Sequence, residues 1–90
     1  MNTLEWSILD IQKHPVVSDL YTIAIQRTVK TPAPGKKYHV KEIPQASLEI
    51  VGEEMVNPGR KGVMRIAMYL TGLSPDDAAK LKGHAIVPKV

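Results

Sequence analysis

Apolar and polar positions alternate along most of this chain with the period of two that marks a half-buried β-strand. In residues 3–12, Leu4, Trp6 and Ile8 share one side, with Glu5 and Ser7 opposite. Leu9 and Ile11 then bring apolar groups to the second side, which a β-bulge or a strand buried on both faces would produce. Pro15 interrupts the run, and Val16 to Asp19 form a turn. Residues 20–30 resume the alternation. Tyr21, Ile23, Ile25 and Val29 lie on one face, and Thr22, Ala24, Gln26 and Thr28 on the other, with the β-branched bias of a pleated surface. The two prolines in Thr31-Pro32-Ala33-Pro34-Gly35 remove two ladder donors, so this stretch reads as an exposed loop.

Alternation returns over Tyr38 to Ile43, with Tyr38, Val40 and Glu42 on one side and Lys37, His39 and Lys41 on the other. Pro44 marks an edge or a bulge, and Ser47 to Val51 is another short strand. Asn57-Pro58-Gly59 is a turn signal. From Gly62 to Thr71, Met64, Ile66, Met68 and Leu70 form a core face, while Arg65, Ala67 and Tyr69 look away. The spacing then predicts one helix over 74–82: Ser74 as N-cap, Pro75 at the first helical position, Asp76 and Asp77 at the positive end of the dipole, and Gly83 as the stop. His84 to Val87 is a last short strand. The expected fold is mainly β: a small antiparallel barrel or sandwich, OB-like, with one short helix near the C-terminus.

Ninety residues make one domain, 1–90, with 43% apolar residues to supply a modest core. The chain has no cysteine, which removes disulfides and thiolate chemistry and fits a reducing cytoplasm. The first six residues lack a basic n-region, and no apolar run approaches the length of a membrane span, so neither a signal peptide nor a membrane partner is expected. The net charge of +3 is mild, but it is clustered. Arg27, Lys30, Lys36, Lys37 and Lys41 follow one another without an acid, and Arg60, Lys61 and Arg65 form a second acid-free group. Clustered charge points to a polyanion partner.

Catalytic signals are lacking. His14, His39 and His84 have no metal-ligand spacing, helix capping accounts for Asp76 and Asp77, and no phosphate-loop, nucleophile-elbow or zincin motif occurs. The chain is expected to be no enzyme and to need no metal or cofactor. Lysines and arginines on an exposed loop can meet phosphates, and a tyrosine among them can stack on an unpaired base. Tyr38 beside Lys36 and Lys37 is one such pair, Tyr69 beside Arg65 a second. Two readings of Tyr38 stand: a ring offered to a base, or a ring packed in the core.

Gly35-Lys36-Lys37-Tyr38-His39-Val40-Lys41-Glu42, followed by Ala46-Ser47-Leu48-Glu49-Ile50-Val51-Gly52, resembles the single-stranded DNA-binding proteins of filamentous phages. That resemblance implies a dimeric OB-like barrel, phage-encoded and working in the host cytoplasm, with Arg27, Lys36 and Tyr38 in DNA contact. Pro44 and one extra residue depart from the family's pattern, as does the lack of phenylalanine. The leading expectation is non-catalytic, sequence-tolerant binding of single-stranded nucleic acid by a homodimer. The alternative is a protein-interaction or assembly module whose lysines serve only solubility and whose strand edges meet a protein partner.

Overall fold

The structure, a computed structural model, describes residues 5–28, 30–54 and 62–89. Six strands, β1 (Trp6–Lys13), β2 (Leu20–Gln26), β3 (Lys37–Val40), β4 (Ile43–Glu54), β5 (Val63–Thr71) and β6 (Ala85–Pro88), close into a barrel in the order β1-β2-β5-β4-β3-β6. Every neighbouring pair is antiparallel. One helical turn, α1 (Pro75–Ala78), lies between β5 and β6. The barrel is therefore the mainly β antiparallel architecture the alternation predicts, with one strand more than the five of an OB-fold.

The inward positions are those of the alternation. Tyr21, Ile23 and Ile25 stand opposite Met68, Ile66 and Met64, and Leu48 and Ile50 stand opposite Leu70 and Met68. All are buried in one core with Trp6, Ile8, Tyr38, Val40, Leu81 and Ile86. Closure gives each of the six strands two neighbours, although β1 pairs with β6 only at Trp6 and Ser7.

Where the chain departs from strict alternation, the register shifts. Ile8 pairs with Ile25 but Asp10 pairs with Ala24, so Leu9 is the extra residue of a bulge. Leu9 is left 41% exposed, while Ile11 returns to the inner face and packs against the core. A bulge, not two-sided burial, thus explains the apolar pair. A second shift lies in the β3–β4 hairpin. His39 pairs with Ser47 but Val40 pairs with Ile43, so residues 44–46 arch out of the ladder, and Pro44 sits where no donor is required. A third makes Val51 the extra residue between Ile50 and Gly52.

Several expected boundaries move, and the short strand expected over Ser47 to Val51 extends from Ile43 to Glu54. The strand expected over 20–30 ends at Gln26, and Val29 lies outside the described residues. The alternation over Tyr38 to Ile43 is not one strand: the chain reverses at Lys41-Glu42, between the paired Val40 and Ile43, with Glu42 in the left-handed region at φ 75. The helix expected to reach Lys82 stops at Ala78. Lys80 and Leu81 donate to the carbonyls of Asp77 and Ala78, three residues back. This tightening lets Leu81 turn into the core, where it is 1% exposed. Ser74 caps as expected, its side chain accepting from the backbone N–H of Asp77 at 3.2 Å. The Asn57-Pro58-Gly59 turn lies outside the described residues.

Candidate nucleic-acid interface

Strand direction alternates around the barrel, so the starts of β1, β3 and β5 and the ends of β2, β4 and β6 share one end. That end carries Arg27 and Lys30 after β2, Lys36 and Lys37 at the start of β3, and Lys89 after β6. Arg60 and Lys61 lie outside the described residues; the described residues flanking them, Glu54 and Gly62, belong to this end. The opposite end mixes signs: Lys13, Lys41, Lys80 and Lys82 with Asp19, Glu42, Asp76 and Asp77. The first end also carries Glu5 before β1 and Glu53 and Glu54 at the end of β4, so among the described residues its five cations exceed its acids by two, while the opposite end balances.

The connection from β2 to β3 is held to that mouth from inside. Trp6, buried at the start of β1, donates through Nε1 to the carbonyl of Lys30 at 3.0 Å and to Thr28 Oγ1 at 3.2 Å. The Thr28 hydroxyl also donates to the Lys30 carbonyl. Tyr38 accepts at its hydroxyl from the backbone N–H of Ala33 at 3.0 Å. Gly35 N–H donates to Ile50 and Ile50 N–H donates back to Lys36, at 2.9 and 3.2 Å, tying the loop's far side to β4. The loop expected from its prolines is thus present, but it is pinned at both limbs, and Pro32 is buried.

The ring of Tyr38 is only 6% exposed and packs against Trp6, so of its two readings the core one holds and the ring is not offered to a base. Tyr69 differs: it lies on the outer face of β5, 44% exposed. Register places Tyr69 beside Glu49 of β4, and Glu49 beside Lys37 of β3. Tyr69 and Lys37 are thus two strand spacings apart, about 10 Å. Arg65 shares the outer face of β5, between Ala24 and Glu54.

Two of the expected basic residues are engaged within the chain. Arg27 donates to the Glu53 carboxylate at 2.5 Å, and Lys41 pairs with Glu5 at 3.0 Å. The Glu5 hydrogen bond, reinforced by its charge, raises the pKa of Lys41 above the ordinary lysine value. Lys41 also sits at the far end of β3, away from Lys36 and Lys37. The side chains of Lys30, Lys36, Lys37 and Lys89 are exposed and have no acidic partner within ion-pair distance among the described residues. Lys89 was not legible as a member of this group; its N–H donates to the carbonyl of Lys37 at 3.1 Å because β6 pairs with β3.

Among the described residues, no group of three or more His, Asp or Glu side chains is placed to hold a metal ion, and no helix is long and apolar enough to cross a membrane. Fold and site define a closed antiparallel barrel with one basic mouth. No family model, curated protein or solved structure matches the chain.

Proposed function

We propose that the protein binds single-stranded nucleic acid, without catalysis and with little sequence preference, through the basic mouth of its barrel. Lys30, Lys36, Lys37 and Lys89 meet the phosphates. Arg60 and Lys61, which with Arg65 form the second acid-free group of the sequence, are proposed as further phosphate contacts. Arg65 and Tyr69 extend the track across the outer sheet face, with Tyr69 supplying the ring on which an unpaired base stacks. Arg27 and Lys41 contribute only by exchanging their carboxylate partners. The observation that carries this reading is the anchored loop: lysines that form no ion pair among the described residues, on a backbone pinned by Trp6 and Tyr38, present charge with little backbone ordering entropy left to lose. The resemblance to phage single-stranded DNA-binding proteins supports the same reading, as it does a homodimer in the cytoplasm. A twofold dimer would bring two basic mouths to one strand and raise avidity.

Titration of labelled single-stranded and duplex oligonucleotides at several salt concentrations tests it. Single strands are expected to bind more tightly than duplex, with affinity falling steeply as salt rises. Absence of saturable binding at low salt overturns the proposal.

A second reading, a protein-interaction module, is favoured by the outward Leu9, Val51 and Val16, of which Val16 is 84% exposed. Leu9 lies on β1 and Val16 in the β1–β2 turn, so such a partner would meet this side of the barrel, where β1 extends beyond its two-residue pairing with β6.

A further inference from the structure

At the end of the barrel away from the basic mouth, a cavity of about 290 Å³ opens between the β3–β4 arch and the segment after β5. Its apolar wall is Ile43, Leu73 and Leu81; its polar wall is Gln45, Asp77, Lys80 and His84. Ile43 and Leu73 are half-buried against the core, and Leu81 belongs to it. The backbone around the cavity is held in place. Ser74 caps the Asp77 N–H, Leu81 N–H donates to Ala78, and His84 bridges Leu81 and Ile8 through its own N–H and carbonyl.

The side chains on the polar wall are not used by the fold. Gln45, Asp77, Lys80 and His84 make no side-chain hydrogen bond or ion pair among the described residues, although Asp77 and Lys80 are one helical turn apart. An open cavity with a fixed apolar side and solvent-facing polar groups of both signs at its rim can take a small ligand that is apolar at one end and charged at the other. Lys80 and His84 suit a carboxylate, Asp77 suits an ammonium, and the aliphatic wall suits a branched hydrocarbon.

We propose that this cavity binds a small zwitterion with an aliphatic side chain, of the class of the branched α-amino acids. The ligand's carboxylate faces Lys80 and His84, its ammonium faces Asp77, and its side chain covers Ile43, Leu73 and Leu81. The site is independent of the nucleic-acid reading, because none of these residues belongs to the basic mouth.

Amide NMR titration of the full chain with L-leucine tests this, with N-acetyl-L-leucine and L-leucinamide as probes lacking the ammonium and the carboxylate. L-leucine is expected to shift the amides of Ile43, Leu73, Leu81 and His84 saturably at millimolar concentration or below. Each truncated probe is expected to bind about ten-fold more weakly, since each leaves one charged group of the site unpaired. Asp77→Asn and Lys80→Met, both at exposed positions, are expected to weaken L-leucine by a similar factor while leaving the remaining amide spectrum unchanged. Asp77→Asn should leave N-acetyl-L-leucine unaffected. Absence of saturable shifts at these four amides overturns the site. N-acetyl-L-leucine binding as tightly as L-leucine overturns the zwitterion assignment.

Discussion

Trp6 and Tyr38 meet edge to face, their ring centroids 5.7 Å apart and their planes at 82°, and each spends its polar atom on the loop that joins β2 to β3. Two neighbouring core rings thereby fix the two limbs of the basic loop, one at Lys30 and one at Ala33. Burial and function are coupled here: the groups that fill the core also set where the lysines stand. Tyr38→Phe keeps the ring contact and removes only the hydroxyl that accepts from Ala33. The expected cost is about 1 kcal/mol of stability. Faster amide exchange at Ala33 and weaker oligonucleotide binding are expected with it, although Tyr38 touches no ligand. Unchanged exchange at Ala33, measured by NMR, would show that the loop is held by other contacts.

Charge reversal at Lys36 and Lys37 tests the phosphate contacts directly. Both side chains are exposed and neither is ion-paired among the described residues, so Lys36→Glu/Lys37→Glu should alter the melting temperature little. The slope of log affinity against log salt for a single strand should become shallower by about 1.4, roughly 0.7 for each lost phosphate contact. Affinity and slope equal to the parent's would remove these two lysines from the interface.

Ser74 accepts from the Asp77 N–H at the only turn of helix among the described residues. Ser74→Ala should cost about 1 kcal/mol, visible as a lowered urea midpoint, with nucleic-acid binding at permissive temperature retained. An unshifted midpoint would mean that the cap is energetically silent because water replaces it.

Much of the barrel could be read from single residues. Met64, Ile66, Met68 and Leu70 occupy every second position of β5 and all face inward, because the one irregularity of the β4–β5 ladder puts its extra residue, Val51, on β4 and none on β5. The Leu9 bulge was one of two readings, and only the pairing of Asp10 with Ala24 decides it. The reversal at Lys41-Glu42 carries no glycine or asparagine, so it lacked its usual local signal. The helix was read too long because propensity favours Ala79, Lys80 and Lys82, whereas burial of Leu81 requires the chain to turn. In the candidate interface, the loop and its lysines were legible as a run of charge. The ion pairs of Arg27 with Glu53 and of Lys41 with Glu5, and the approach of Lys89 to Lys37, join residues distant in sequence and exist only once the barrel closes. Whether Tyr38 faced in or out depended on the phase of β3, which four residues of alternation could not fix.

Gly72 follows β5 at φ 93, where a Cβ would lie 1.8 Å from the carbonyl oxygen of Gln45 in the β3–β4 arch. The obstructing atom is backbone, so no rotamer change can relieve the clash. Gly72→Ala is expected to cost about 3 kcal/mol or more, combining left-handed strain with forced separation of β5 from the arch. Gly35→Ala is the control. Its φ of 79 is similarly left-handed, but an added Cβ would meet nothing within 4 Å. There the cost should stay near about 1 kcal/mol. Equal melting temperatures for the two variants would show that the close approach at Gln45 is absent in solution.

The last expectation concerns alkaline pH. Burial, and then the charge of Asp19, raise the pKa of the Tyr21 phenol above its ordinary value. The folded state therefore holds this proton more tightly than the unfolded chain, whose tyrosines titrate near about pH 10. Below that pH both states are protonated and the contribution to stability is fully present. As pH rises further the unfolded chain releases its proton first, and stability falls until the folded phenol titrates as well. Lys41, also raised, acts with the same sign in the neighbouring range through its pairing with Glu5. Tyr21→Phe keeps the buried ring and removes the ionisable group, so its stability should decline less steeply above about pH 10 than the parent's. Lys41→Met should remove the other, solvent-screened part. Urea midpoints taken across this range for the parent and both variants decide the assignment. Parallel alkaline declines in the parent and Tyr21→Phe would show that Tyr21 is not the linked group, and that its hydroxyl reaches solvent more freely than its position inside the barrel implies.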